Sequence, residues 1–375
     1  MKKVFQIVIL LTIILGFSNC RKSDSGLLYD KKYIEEIRLA RKEAGFYMAR
    51  DFIPGATFAI AKDGKLIYSE GLGLASKDLD VPVNRNTKFR IGEISEIITS
   101  LAYHLLVENG TLHSDSAVQH YLPDFPEKEH KLTLDNLSNH SSGIRIPSND
   151  EVNWKGLNVS IERGLEMFKD DPLISYPGWD DENSPFSYNL LGAVIEKAKG
   201  ERFHKIIKEL VTDTLNLLNT GIDNPLITIK GRSDFYDNGF MLHVENADFI
   251  DLRYRAPSQG FLSNAEDLAK LGNAMLYSDY ISEDVKERIF TPVFLQSGFP
   301  VQLSNGWVVS EDQSGRKYYA RSGHVTGGGA SLLIFPDEKL VKAGTINITG
   351  NTDGIPLFKM AVPFLTVPES QNNND

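Results

Sequence analysis

Apolar and polar residues recur along this chain with two periods, and the change from one to the other marks its organisation. Ile34, Ile37, Ala40, Ala44 and Met48 return at helical spacing with Glu and Lys between them, predicting an amphipathic helix that ends near Asp51, before Pro54. Thr57 to Ile60 and Leu66 to Tyr68 are short β-prone runs around Asp63-Gly64, a pair that favours a tight hairpin. From about Glu93 to Asn109, Ile94, Ile97, Ile98, Leu101, Leu105 and Leu106 cover most of a second helix, which is predicted to be buried and to stop at Gly110. Leu190 to Lys199, Phe203 to Val211, Ala265 to Leu276 and Ser282 to Ile289 read as further helices. The end of the chain changes character: Gly306 to Val309, Lys317 to Ala320, Ser331 to Phe335 and Val341 to Ile348 are strand-like and separated by turn residues.

Strands at both ends with helices between them predict an α+β fold, with one antiparallel sheet from the N- and C-terminal segments, flanking helices and a mainly helical inserted subdomain. The sheet-containing part is placed at about 31–75 and 255–366, the helical part at about 76–254, and a polar tail at 367–375. A cleft between two such subdomains is a common ligand site.

The first 30 residues read differently. Lys2 and Lys3, an apolar run from Val4 to Leu15, and Gly16 to Asn19 before Cys20 have the tripartite form of a secretory signal. The run is short for a membrane span, which needs roughly 20 residues, so cleavage is expected, leaving Cys20 first in the mature chain. This arrangement resembles a bacterial lipoprotein signal, with residues 1–19 removed, lipid on Cys20 and a tether over 20–30. It implies an exported protein of the bacterial cell envelope, anchored to membrane lipid. Cys20 is the single cysteine, which excludes an intrachain disulfide and a cysteine-rich zinc site. Forty Lys plus Arg against 50 Asp plus Glu give a charge of −10, which argues against nucleic acid as partner.

A series of phrases occurs in one order over roughly residues 54 to 350. They are Pro54-Gly55-Ala56, Gly71-Leu72-Gly73, Thr87-Lys88-Phe89-Arg90-Ile91-Gly92, Leu105-Leu106-Val107-Glu108-Asn109-Gly110, the loop Leu132 to Ile144 around His140, Tyr188-Asn189-Leu190-Leu191-Gly192, and Gly260 to Leu268. Together they resemble the β-lactamase-related serine hydrolase superfamily, which includes class C β-lactamases, penicillin-binding peptidases and related esterases. The resemblance implies that fold over 31–366, and three reactive elements. These are a serine at a helix start with a lysine one turn on, a tyrosine with an asparagine two residues later, and a lysine or histidine followed by Ser/Thr-Gly on a strand beside the cleft.

Carried over position by position, the reactive residues are changed. Glu93 stands at the serine position and Glu96 at the lysine position, and an acyl group on Glu93 would be an anhydride. Ser95 is rotated by about 200° around the helix and cannot take over as nucleophile. Asn183 stands at the tyrosine position and Pro185 at the asparagine position, so proton relay and amide are both missing. Arg321-Ser322-Gly323 fits the third element, with His324 as a competing register. Tyr188 is read as a packing residue with a satisfied hydroxyl, and His140 as a structural, hydrogen-bonded histidine. The literal S-x-x-K at Ser314 to Lys317 is read as a hairpin loop, and Gly327-Gly328-Gly329 as glycines that let backbone pass close to the pocket.

No catalytic set is therefore assigned, and no cofactor is implied. The first reading is a lipid-anchored, inactive homologue that binds a small-molecule or peptidoglycan-like ligand or a protein partner, with Glu93, Glu96, Asn183, Arg321 and His324 lining the pocket. The alternatives are a family hydrolase acting on β-lactam, peptide or ester bonds, or a metal-assisted hydrolase with Glu93, Glu96 and His324 as ligands. Two carboxylates one turn apart in a cleft are costly without a cation, so Arg321 is expected to pair with Glu93 or Glu96, with His324 in reserve.

Overall fold

The computed structural model describes residues 26–152, 154–156, 160–239, 243–350 and 354–365. Cys20, the leader and the polar tail lie outside the described residues. Seven strands form the main sheet: β1 (Leu28–Tyr29), β2 (Gly55–Lys62), β3 (Lys65–Ser76), β4 (Val308–Glu311), β5 (Lys317–Val325), β6 (Gly328–Phe335) and β7 (Leu340–Ile346). Their order is β1-β3-β2-β7-β6-β5-β4, every neighbouring pair is antiparallel, and Val81–Pro82 adds a short pairing to β3. The tether ends sooner than expected, because Leu28 and Tyr29 pair with Ser69 and Tyr68 at the sheet edge. Asp63 and Gly64 both have positive φ, 51° and 77°, as a tight two-residue hairpin between β2 and β3 requires.

Alternation along the strands builds two cores. Phe58 and Ile60 of β2 with Leu333 and Phe335 of β6 face α1 (Ile34–Arg50), which contributes Ile37, Ala40, Ala44 and Tyr47, and Met360 of the late helix Leu357–Ala361. The intervening residues Ala59, Ala61, Leu332 and Ile334 pack the other way. They meet Leu268, Ala269 and Leu271 of Ala265–Tyr277 and continue into the core around α2 (Ile94–Glu108). That helix is apolar on most sides and buried from Ile94 to Leu106.

The segment 76–254 carries α2 and α3 (Pro185–Lys199), but short strands as well: Phe89–Arg90 and Gly221–Ile222 flank Phe261–Ser263, and Tyr236–Asn238 pairs with Val244–Asn246. α3 starts five residues earlier than its apolar pattern suggests, because Pro185 suits a first helical turn, where its missing N–H has no partner to lose. Ser314 to Lys317 is the β4–β5 hairpin loop, with the Asp312 carboxylate accepting from the backbone N–H of Ser314 at 2.8 Å and Arg316 at 3.1 Å. The Gly327–Gly329 turn does admit close neighbours, but they are Phe235 and Arg90 rather than the cleft: a Cβ on Gly328 would lie 2.6 Å from the Arg90 carbonyl oxygen.

Candidate functional site: a cleft closed by its own side chains

Two glycines determine how α2 meets the sheet. Gly92 has φ +53°, and a Cβ there would lie 2.4 Å from the His324 nitrogen; a Cβ on Gly323 would lie 2.4 Å from the Glu93 nitrogen. The helix start and β5 therefore touch backbone to backbone. Along β5, Arg321, Gly323 and Val325 are buried while Ser322 and His324 are exposed, the period of a strand with one face covered.

Glu96 projects from α2 into this contact, fully buried, and forms an ion pair with Arg321 Nη2, whose side chain is 5% exposed. Neutralising two charges in such a place needs good geometry and further polar partners. These come from the surrounding loops. Asn183 Oδ1 accepts from Arg321 Nη2 at 3.5 Å, and His140 Nε2 lies 3.3 Å from Glu96 Oε2 without the geometry of a hydrogen bond. Among the described residues Glu96 Oε1 and Arg321 Nε have no hydrogen-bond partner.

Glu93, at the N-terminal boundary of α2, turns away from this pair. One carboxylate oxygen accepts the His324 backbone N–H at 2.7 Å and the other accepts the Gln259 side-chain amide at 2.6 Å. Arg255 is buried, with no hydrogen bond on Nε or Nη1 among the described residues; burial pushes its pKa down, and Tyr254 and then the Glu93 carboxylate oppose that push. Ser95 is turned inward: its hydroxyl donates to Gly92 O at 2.7 Å and accepts from Phe261 N at 3.2 Å. Tyr188 donates to Ser138 O at 2.9 Å, and burial raises its pKa, so it stays a protonated packing residue against the His140 ring.

A family profile described as Beta-lactamase matches residues 42–358, most of the chain. The chain belongs to the β-lactamase family. It is 28% identical over 379 residues to the human serine beta-lactamase-like protein LACTB, mitochondrial, covering 76% of this chain and 69% of that protein. Among solved structures, an octameric penicillin-binding protein homologue from Pyrococcus abyssi superposes with a TM-score of 0.75 at 22% identity, covering 87% of this chain and 76% of that one. A class C beta-lactamase gives a TM-score of 0.74 at 16% identity, covering 92% and 99%. At these identities the structures show the fold, an α+β arrangement of antiparallel sheet and helices.

In this β-lactamase-family chain, the residues registered on the three reactive elements meet at one place. Glu96, Asn183 and Arg321 share a polar cluster, and Glu93 and Gly323 adjoin it. The pairing expected of Arg321 falls on Glu96. His324 reaches Glu93 through its backbone and not its ring, Ser322 exchanges a hydrogen bond with Ser331 at 2.8 Å, and Pro185 starts α3. The three metal candidates Glu93, Glu96 and His324 are thereby separated: each carboxylate has its own donors and the histidine ring is on the exposed side of β5. Among the described residues no group of three His, Cys, Asp or Glu could hold a metal ion.

Gln259 and Arg255 are site residues that periodicity and motif did not reveal. Their only signal was position, immediately before the phrase Gly260-Phe261-Leu262. His140 is not the hydrogen-bonded structural histidine expected from the sequence: its backbone has φ +53°, its ring lies beside Glu96, and neither ring nitrogen has a hydrogen-bond partner among the described residues.

Proposed function

We propose that this chain is an exported, lipid-anchored member of the β-lactamase family that has lost acyl-transfer chemistry and acts by binding in the cell envelope. The observation that carries this reading is the buried Glu96–Arg321 pair. It fills the reactive corner with two side chains that neutralise each other, where the family mechanism needs a nucleophile and a free base. Glu93, held by the His324 N–H and the Gln259 amide, is likewise engaged as an acceptor. Attachment through Cys20 is supported by the sequence of the leader, and two acyl chains on that residue would anchor the acidic domain stably at a membrane surface.

Fluorescent penicillin tests the loss of chemistry: purified protein should take no covalent label, and chromogenic cephalosporins should hydrolyse at the background rate. Stable label mapped to any serine would overturn it. For the anchor, mass spectrometry should find lipid on Cys20, and Cys20→Ala should release the protein from the membrane fraction. An unlipidated wild-type chain would refute that part alone.

A further inference from the structure

The loop that carries Asn183 at its inner end has a second face. Gly178 N donates to Ser141 O at 2.7 Å and Glu182 N to His140 O at 2.8 Å, which ties the loop to the cleft. Its outer crown, with the segments 126–130 and 170–176, forms a groove of about 630 Å³. Two large rings stand on this groove half exposed, Tyr176 at 53% and Trp179 at 50%. His130 packs edge-on against Tyr176 with ring centroids 4.3 Å apart, and Tyr176 lies 6.4 Å from Trp179 in a T-shaped arrangement. Rings fixed against one another in this way present a rigid aromatic ledge at low entropic cost.

Carboxylates surround the ledge. Glu127, Asp170 and Asp180 line the groove, and none of them forms an ion pair among the described residues. One cation has already settled on the wall: the Lys128 ammonium donates to Asp171 O at 2.7 Å and lies 5.4 Å from the Phe125 ring centroid. Asp170 already faces the Lys128 and Lys169 ammoniums, whereas Glu127 and Asp180 face no lysine or arginine within ion-pair distance among the described residues. Aromatic faces bounded by such carboxylates suit a planar cation, which stacks on a ring while its N–H groups reach the acids. A second copy of this chain, at −10, brings the wrong charge, and so does an anionic lipid surface.

We infer that this groove is a docking site for an arginine-bearing, basic peptide segment of a partner protein. The guanidinium lies on Trp179 and Tyr176, and Asp170 and Asp180 fix its orientation. The site is separate from the reactive corner and does not depend on whether that corner is active.

The test is fluorescence anisotropy of dye-labelled hexa-arginine with the purified protein, alongside hexalysine and a neutral chito-oligosaccharide. Hexa-arginine should bind more tightly than hexalysine, and its affinity should fall as salt is raised. Trp179→Ala should weaken binding at least fivefold at an unchanged melting temperature, since the ring is half exposed. Asp170→Asn combined with Asp180→Asn should weaken it similarly and flatten the salt dependence. Absence of hexa-arginine binding at low salt overturns the inference. So does unchanged affinity in Trp179→Ala, which would mean diffuse attraction to an acidic surface, or preferential binding of the oligosaccharide.

Discussion

Replacing Arg321 with methionine tests how the reactive corner is held together. The substitution keeps a long apolar stem but removes the guanidinium, leaving the fully buried Glu96 carboxylate without its ion-pair partner and with the His140 ring at 3.3 Å. Breaking a buried pair from one side costs about 3–5 kcal/mol, because the remaining charge is desolvated without compensation, whereas an exposed pair is worth about 1 kcal/mol or less. The side-chain exposures of 5% for Arg321 and 0% for Glu96 place this pair in the first class. Guanidinium unfolding of the wild type, Arg321→Met, Glu96→Gln and the double variant closes a thermodynamic cycle. The single arginine variant should show a large fall in midpoint at constant slope. The double variant should recover most of it, since no uncompensated charge remains. A loss below 1 kcal/mol for Arg321→Met, or a double variant that is merely the sum of the singles, would refute the reasoning and mean that water reaches Glu96.

Three further outcomes follow from the structure. His104 is buried with Nε2 2.9 Å from Asn305 Oδ1, and burial lowers its pKa from 6.5 to about 4. The unfolded chain therefore binds more protons between those values. The stability present above pH 6.5 should fall by roughly 3 kcal/mol as pH drops to 4, and His104→Asn should flatten that part of the profile in pH-dependent denaturation. Lys342 is buried with no carboxylate partner among the described residues, its Nζ on Met360 O and over the Phe364 ring, and burial lowers its pKa. Stability should rise with pH toward the ordinary lysine value, and Lys342→Met should raise the unfolding free energy at pH 7 by on the order of 1 kcal/mol and remove that rise. Finally, Glu93→Ser with Glu96→Lys should restore little or no cephalosporin hydrolysis, because the new lysine faces Arg321 and the Asn183 and Pro185 positions still lack tyrosine and asparagine.

The hairpin at Asp63-Gly64, the buried helix after Gly92 and the strand-rich end were legible because each rests on local chemistry: two residues that accept positive φ, a run of isoleucine and leucine at helical spacing, alternating apolar positions. The glutamates were legible for another reason, since they stand at fixed distances from scaffold phrases that persist. What could not be read were the relations between distant segments. That Glu93 takes the His324 N–H, or that Gln259 reaches it from the far side, depends on how closely two glycines let backbones approach. Neither Gly92 nor Gly323 announces its partner in sequence. The early strand Leu28–Tyr29 was missed because two residues carry no detectable alternation, and their pairing is induced by the edge of β3.

The middle of the sheet joins the two ends of the chain. β2 pairs with β7 residue by residue, and the hydroxyls of Thr57 and Thr345 meet at 2.6 Å across 288 positions of sequence. A ribosome making this protein therefore produces the first hairpin early and must hold its apolar face without a neighbour until almost the whole chain has been made. Contacts this remote cannot guide early folding, and loop closure over such a span makes completion slow. Under the export proposed above, late completion is an advantage, since the sheet cannot lock until its last strand is through. Chains arrested short of residue 340 should accordingly remain protease-sensitive in both halves, and the addition of β7 should confer resistance on both together.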